Sequence, residues 1–140
     1  MTDKPLPLSL FLMRWSVFLV MFMWTLDKFV NPGHATRIFE HFYFIPGVES
    51  TIIYGLAVAE MGLLALFILG LYKRFSYGLV LLFHSVSTFS SFRQYLDPFE
   101  GAHLLFFAAW PMWAACVALY LLRDQDQLLT LPARAELRAS

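Results

Sequence analysis

Four apolar stretches, each long enough to cross a bilayer, leave this chain few ways to fold. They run over residues 8–30, 51–72, 75–92 and 102–122. At about 1.5 Å of rise per residue, roughly 20 helical residues cover a ~30 Å hydrocarbon core. In lipid every backbone N–H and C=O must be satisfied internally, so such stretches become helices. Charged residues are only 14% of the chain, where a soluble domain carries about a quarter. The expectation is an all-α integral membrane protein, a single domain over residues 1–140 forming a four-transmembrane-helix bundle in the lipid bilayer.

The connections have their own signals. "NPG" at 31–33 ends the first span, and a short amphipathic helix between spans 1 and 2 is predicted from His34 to about Phe44. Ile38, Phe39 and Phe42 could sit in the interface, and "IPG" at 45–47 breaks the chain before span two. The turn before span three is very short, which makes spans two and three an antiparallel hairpin. The third span, with "FHSVSTFSSFRQY", is the most polar and suits the inside of a bundle. Residues 123–140 read as a polar cytoplasmic tail, ordered only near the membrane.

Charge sets the expected orientation. Lys4, Arg14, Lys73, Arg74, Arg123, Arg134 and Arg138 fall on the side of the termini, against Lys28, Arg37 and Arg93 on the other. Seven against three places both termini in the cytoplasm. "MTDKPLPLSL" lacks a basic region followed by a cleavage site, so no removable signal peptide is expected. Zero net charge with no basic run gives no footprint for nucleic acid. The single cysteine, Cys116, excludes an intrachain disulfide and a CxxC thiol pair, and reads as a small core residue.

The chemistry must come from polar groups at bilayer depth. Glu60 lies about nine residues into span two and His84 about nine into span three, which runs the other way. A Glu60–His84 hydrogen bond is sterically open, as is separate bonding of each to hydroxyls or carbonyls. His84, Thr88, Ser91 and Tyr95 recur on one helical face. They line either a polar cleft that opens outward and ends near Glu60, or a stripe of helix–helix contacts. Gly55, Ala59 and Gly62 form a separate small-residue face that permits close helix approach. Pro111 should kink or loosen span four, and Trp110 and Trp113 beside it read as packing or interface anchors.

At the outward rim stand Asp27, Lys28, Arg93, Asp97 and His103, with His34, Arg37, Glu40, His41 and Glu100. Cross-pairing of Asp27 with Arg93, or of Lys28 with Asp97, would clamp two loops together, with an anion-binding rim as the other reading. His34, His41 and His103 lack the HxxxH or HxxE spacing that fixes a metal, so none is expected. His84 and His103 differ in depth by about 12 Å of helix rise, which disfavours joint haem ligation.

"TLDKFVNPG", a phenylalanine-rich short helix and "AEMGLLALFILGLYKR" together make the chain resemble the DoxX-like family of small four-span bacterial membrane proteins. The resemblance spans about residues 10 to 122, and the family's glutamate, glycine and basic turn correspond to Glu60, Gly70 and Arg74. Thr25 stands where the family often has a glycine. The resemblance implies a bacterial inner-membrane location and a four-helix bundle. It also implies links to thiosulfate oxidation with quinone reduction, to maturation of periplasmic redox proteins, or to other membrane proteins as partners. Related four-span folds bind sterols or other lipids in an outward cavity around buried acids.

Two functions follow as expectations. The first is a DoxX-like accessory or anchor subunit of a quinone-linked electron-transfer complex, not catalytic on its own, with other membrane subunits as partners. No cofactor motif is evident; a quinone is the one cofactor the cleft would admit, with Glu60 and His84 handling its protons. The alternative is a membrane-embedded protein that binds a lipid or small apolar molecule. A stand-alone thiosulfate:quinone oxidoreductase ranks last, for want of a nucleophile or metal cluster.

Overall fold

The computed structural model describes residues 5–42 and 50–130, and all regular structure among them is helical. The order is α1 (Pro5–Val30), α2 (Pro32–Phe42), α3 (Ser50–Leu69), α4 (Lys73–Ser90), α5 (Phe92–Leu96) and α6 (Ala109–Leu121). Two 3-10 turns, His103–Ala108 and Arg123–Gln125, flank α6. Three segments are long and apolar enough to cross a membrane: Pro5–Val30, Thr51–Leu69 and His103–Leu121. A helix, α4, forms where the third span was expected, but Lys73, Arg74, its histidine and its hydroxyls leave it outside that apolar class. The "IPG" break, the side chains of Phe39, His41 and Phe42, and the chain beyond residue 130 lie outside the described residues.

Each long helix turns one stripe inward. On α1 the stripe is Leu10, Arg14, Val17, Met21 and Thr25, spaced three or four apart as one face requires. On α3 it is Ile53, Ala57, Leu64 and Phe67, with Glu60 at the seven-residue step between Ile53 and Phe67. On α4 it is Tyr77, Val80, His84 and Thr88. Helix α1 packs on α3 and α6, and α4 packs on the same two. The buried apolar core, with Val17, Leu64, Phe67, Tyr77 and Leu119, lies toward the end that carries the short α3–α4 turn and residues 123–130. We call this the tail end, and the opposite one the α2 end.

The breaks have local causes. Only Asn31 separates α1 from α2, its N–H bonding the Asp27 carbonyl at 2.7 Å, and Pro32 opens α2 where a missing N–H costs nothing. Helix α2 thus begins two residues earlier than expected. Helix α3 ends on Gly70 at φ +72°, and Thr130 packs so closely there that a Cβ on Gly70 would fall 2.5 Å from the threonine methyl. Pro111 sits in the first turn of α6, and the six residues before that helix wind as 3-10. The fourth stretch is thus loosened where proline predicted. Trp110 and Trp113 join Phe89, Tyr95 and Phe107 in edge-to-face and tilted ring contacts that tie α4 and α5 to α6. The Trp113 indole also donates to Ser85 Oγ at 2.9 Å.

The small-residue face of α3 does not behave as expected. A Cβ on Gly55 or Gly62 would meet nothing within 4 Å, so no helix among the described residues closes on that face. Small residues permit close approach, but a neighbour must be there to approach, and α1 and α4 meet α3 on other sides.

Candidate functional site

Along the helices runs a groove of about 2180 Å³, from Leu12 and Phe75 toward the tail end to His34 and Ile38 at the α2 end. Its walls are overwhelmingly apolar: Leu12, Val20, Leu63, Leu82, Val86 and Met112 are typical. Leu12, Leu82 and Val86 are exposed as well, so the groove is open along its side. Drug-sized pockets measure about 300–1,000 Å³; this space suits a lipid-sized molecule.

The ionisable groups in the lining are Asp27, Lys28, His34, Glu60 and His84. Glu60 is held from α1. Lys28 Nζ donates to Glu60 Oε2 at 3.1 Å, and the Thr25 hydroxyl lies 3.0 Å from the same oxygen. That hydroxyl is also 2.8 Å from the Met21 carbonyl, so its single proton is shared between two acceptors. Lys28 can reach Glu60, a residue deeper in the bundle, because side chains on a helix point back toward its N-terminus. The pair is partly open, at 19% and 24% side-chain exposure. Beside it the His34 ring meets Asp27 at 2.5 Å.

Of the two arrangements left open by the sequence, Glu60 and His84 take the second: they do not bond each other, and each bonds separately, Glu60 to the Thr25 hydroxyl and His84 to a carbonyl. His84 Nε2 bonds the Ala109 carbonyl at 3.1 Å. A carbonyl only accepts, so Nε2 carries the proton and a neutral ring keeps Nδ1 as an acceptor. That nitrogen is buried without a partner, and the Trp24 ring stacks on the imidazole at 6.2 Å. Glu60 and His84 line one groove while bonding to different helices.

The hydroxyl stripe is only partly in the groove. Ser91 lines it, but its hydroxyl donates to the Ser87 carbonyl at 3.0 Å, one helical turn back. Thr88 and Tyr95 fall outside the lining. Thr88 Oγ1 is buried without a partner among the described residues; burial raises the Tyr95 phenol above its ordinary pKa, and the Ser91 hydroxyl beside it partly offsets this. The predicted clamp is replaced too. Lys28 turns inward to Glu60, and α2 doubles back so promptly that Asp27 meets His34 instead. At the second loop His103 Nδ1 lies 2.7 Å from the Asp97 carbonyl, while Arg93 stands over the Phe92 ring at 5.8 Å.

A second polar cluster, absent from the sequence reading, closes the tail end. Arg14 and Asp126 are fully buried and pair at 2.6 Å. The Tyr77 hydroxyl donates to the other Asp126 oxygen at 2.5 Å, and Lys73 Nζ donates to the Asp126 backbone carbonyl. Arg14 Nη2 also donates to the Leu128 carbonyl at 2.5 Å. The start of the polar tail is thus folded into the bundle, and Arg14 is its socket. The signal available in sequence was Arg14 on the inward stripe of α1, since an ionisable group there needs a partner.

Comparison with protein-family models, with curated proteins and with solved structures finds no match for this chain. The site's geometry therefore stands alone.

Proposed function

We propose that this is a membrane-embedded binding protein whose groove receives an elongated apolar molecule, with Lys28 and Glu60 at its polar head. The observation that carries this reading is the groove: lipid-sized, mostly apolar along its walls, open at the side, with an anchored Lys28–Glu60 ion pair among its few ionisable groups. A soluble protein would rarely leave so much apolar surface uncovered, and here the exposed leucines, valines and tryptophans of α1, α3 and α4 face where acyl chains would lie. In this reading α4 crosses the bilayer beside the three apolar segments, and the chain is DoxX-like in architecture.

Seven lysines and arginines on the side of the termini against three on the other favour cytoplasmic termini, in a bacterial inner membrane as the family resemblance implies. The groove's polar mouth then faces outward.

The electron-transfer reading shares the groove, with a quinone as occupant; what favours it is His84, an imidazole lining the same space as Glu60. The test is mass spectrometry of the protein isolated gently in native lipids. One abundant small amphiphile at about one per chain supports the binding protein. Redox subunits in fixed stoichiometry would transfer the case to the accessory subunit, and bulk membrane lipid alone would overturn both.

A further inference from the structure

We infer that the groove selects an amphiphile whose head is uncharged and hydrogen-bonding, such as an alcohol, over one with an anionic or cationic head. This rests on the groove's proposed binding role and specifies its ligand. The ionisable groups of the lining near the mouth already hold one another, Lys28 and Glu60 as an ion pair and Asp27 and His34 through a hydrogen bond. An anionic head would find Lys28 engaged by Glu60, and a cationic head would find Glu60 engaged by Lys28 and Asp27 by His34. Either head would leave water for a low-dielectric wall with only a closed pair to meet it, which is costly.

An alcohol loses far less solvation and finds hydrogen-bonding capacity in reserve. Both contacts to Glu60 fall on Oε2, and a carboxylate accepts on both oxygens. An ammonium has three N–H groups, of which the Glu60 contact takes one. A hydroxyl can therefore donate to Glu60 and accept from Lys28 while the ion pair stays intact. His84 is not the head-group contact, because its Nδ1 has almost no accessible surface.

The test uses one tail and three heads: hexadecanol, hexadecyl sulfate and hexadecyltrimethylammonium, with binding to the purified full chain read by native mass spectrometry. Hexadecanol should bind at one per chain, about tenfold more tightly than either ion, the size expected when a charge must be desolvated without a partner. Glu60→Gln leaves Lys28 uncompensated and should move the preference toward the sulfate. Lys28→Met leaves Glu60 uncompensated and should move it toward the ammonium. Opposite shifts in two variants cannot come from general loss of folding, which thermal unfolding of each would check. Wild-type protein that prefers either ion overturns the neutral-head inference and leaves the binding function standing. No binding of any of the three, or a mass of two chains with no amphiphile, overturns both.

Discussion

Two ion pairs sit inside this protein, and they are opposites. Arg14–Asp126 at the tail end is sealed: both side chains are at 0% exposure, with Tyr77 and Lys73 holding Asp126 further. Lys28–Glu60 rests on one carboxylate oxygen and borders a large groove. The first is surrounded by the core and joins the start of the tail to α1 and α4; the second joins α1 to α3 where the core has given way to open space. A sealed pair can only hold parts together, because nothing else can reach it. A pair on a cavity wall can hold helices and also meet a ligand.

Breaking one side of each pair should separate these roles. Arg14→Met strands the Asp126 carboxylate in the core and should cost about 3–5 kcal/mol, seen as a large fall in the unfolding midpoint in detergent. Adding Asp126→Leu should recover most of that loss, since an apolar pair of similar bulk avoids desolvation altogether. A full loss that persists in the double variant would assign the effect to the lost Tyr77–Asp126 bond instead.

Gly70→Ala attacks the same end through the backbone. A Cβ there must bear a left-handed φ, at about 1–2 kcal/mol, and collides with Thr130. Trypsin cleavage at Arg123 should speed up as the tail segment lifts. Thr130→Gly should relieve the collision but not the φ strain, so partial rescue is the expected result.

At the groove, Lys28→Met or Glu60→Gln should cost only about 1 kcal/mol of stability, because a partly solvated pair contributes little. The change should appear in ligand preference instead. A stability loss as large as that of Arg14→Met would erase the contrast between the two ends. The smallest effect belongs to Ser91→Ala. Its hydroxyl only back-bonds within α4, so stability and binding should stay within about 0.5 kcal/mol of wild type; a clear loss of binding would return the hydroxyl stripe to the ligand path.

Much of the frame was legible in sequence. A short helix beside "NPG", though it begins at Pro32 and not after the motif, the α3–α4 hairpin and the loosening before Pro111 follow from local turn chemistry and apolar length. The site was legible by residue and not by pairing. Glu60 was identified because a carboxylate at depth needs a reason, yet its partner was sought at matching depth on the adjacent hairpin helix. The partner came from α1, since a lysine stem reaches more than a helical turn and leans back along its own helix. Thr25 stood out only as a departure from a family pattern, and its bond to Glu60 depends on which side of α1 faces α3.

By itself the sequence determined that the described residues are helical and roughly where their long helices lie, because those features depend on apolar runs, proline and glycine acting within a few residues. Tertiary structure alone decided which charges are neutralised and by whom. Arg14 and Asp126 are 112 positions apart, and no local rule brings a polar tail segment into a core. Partner choice in a low-dielectric interior is set by which helix faces meet, and the same packing that buried one pair left the other beside open space.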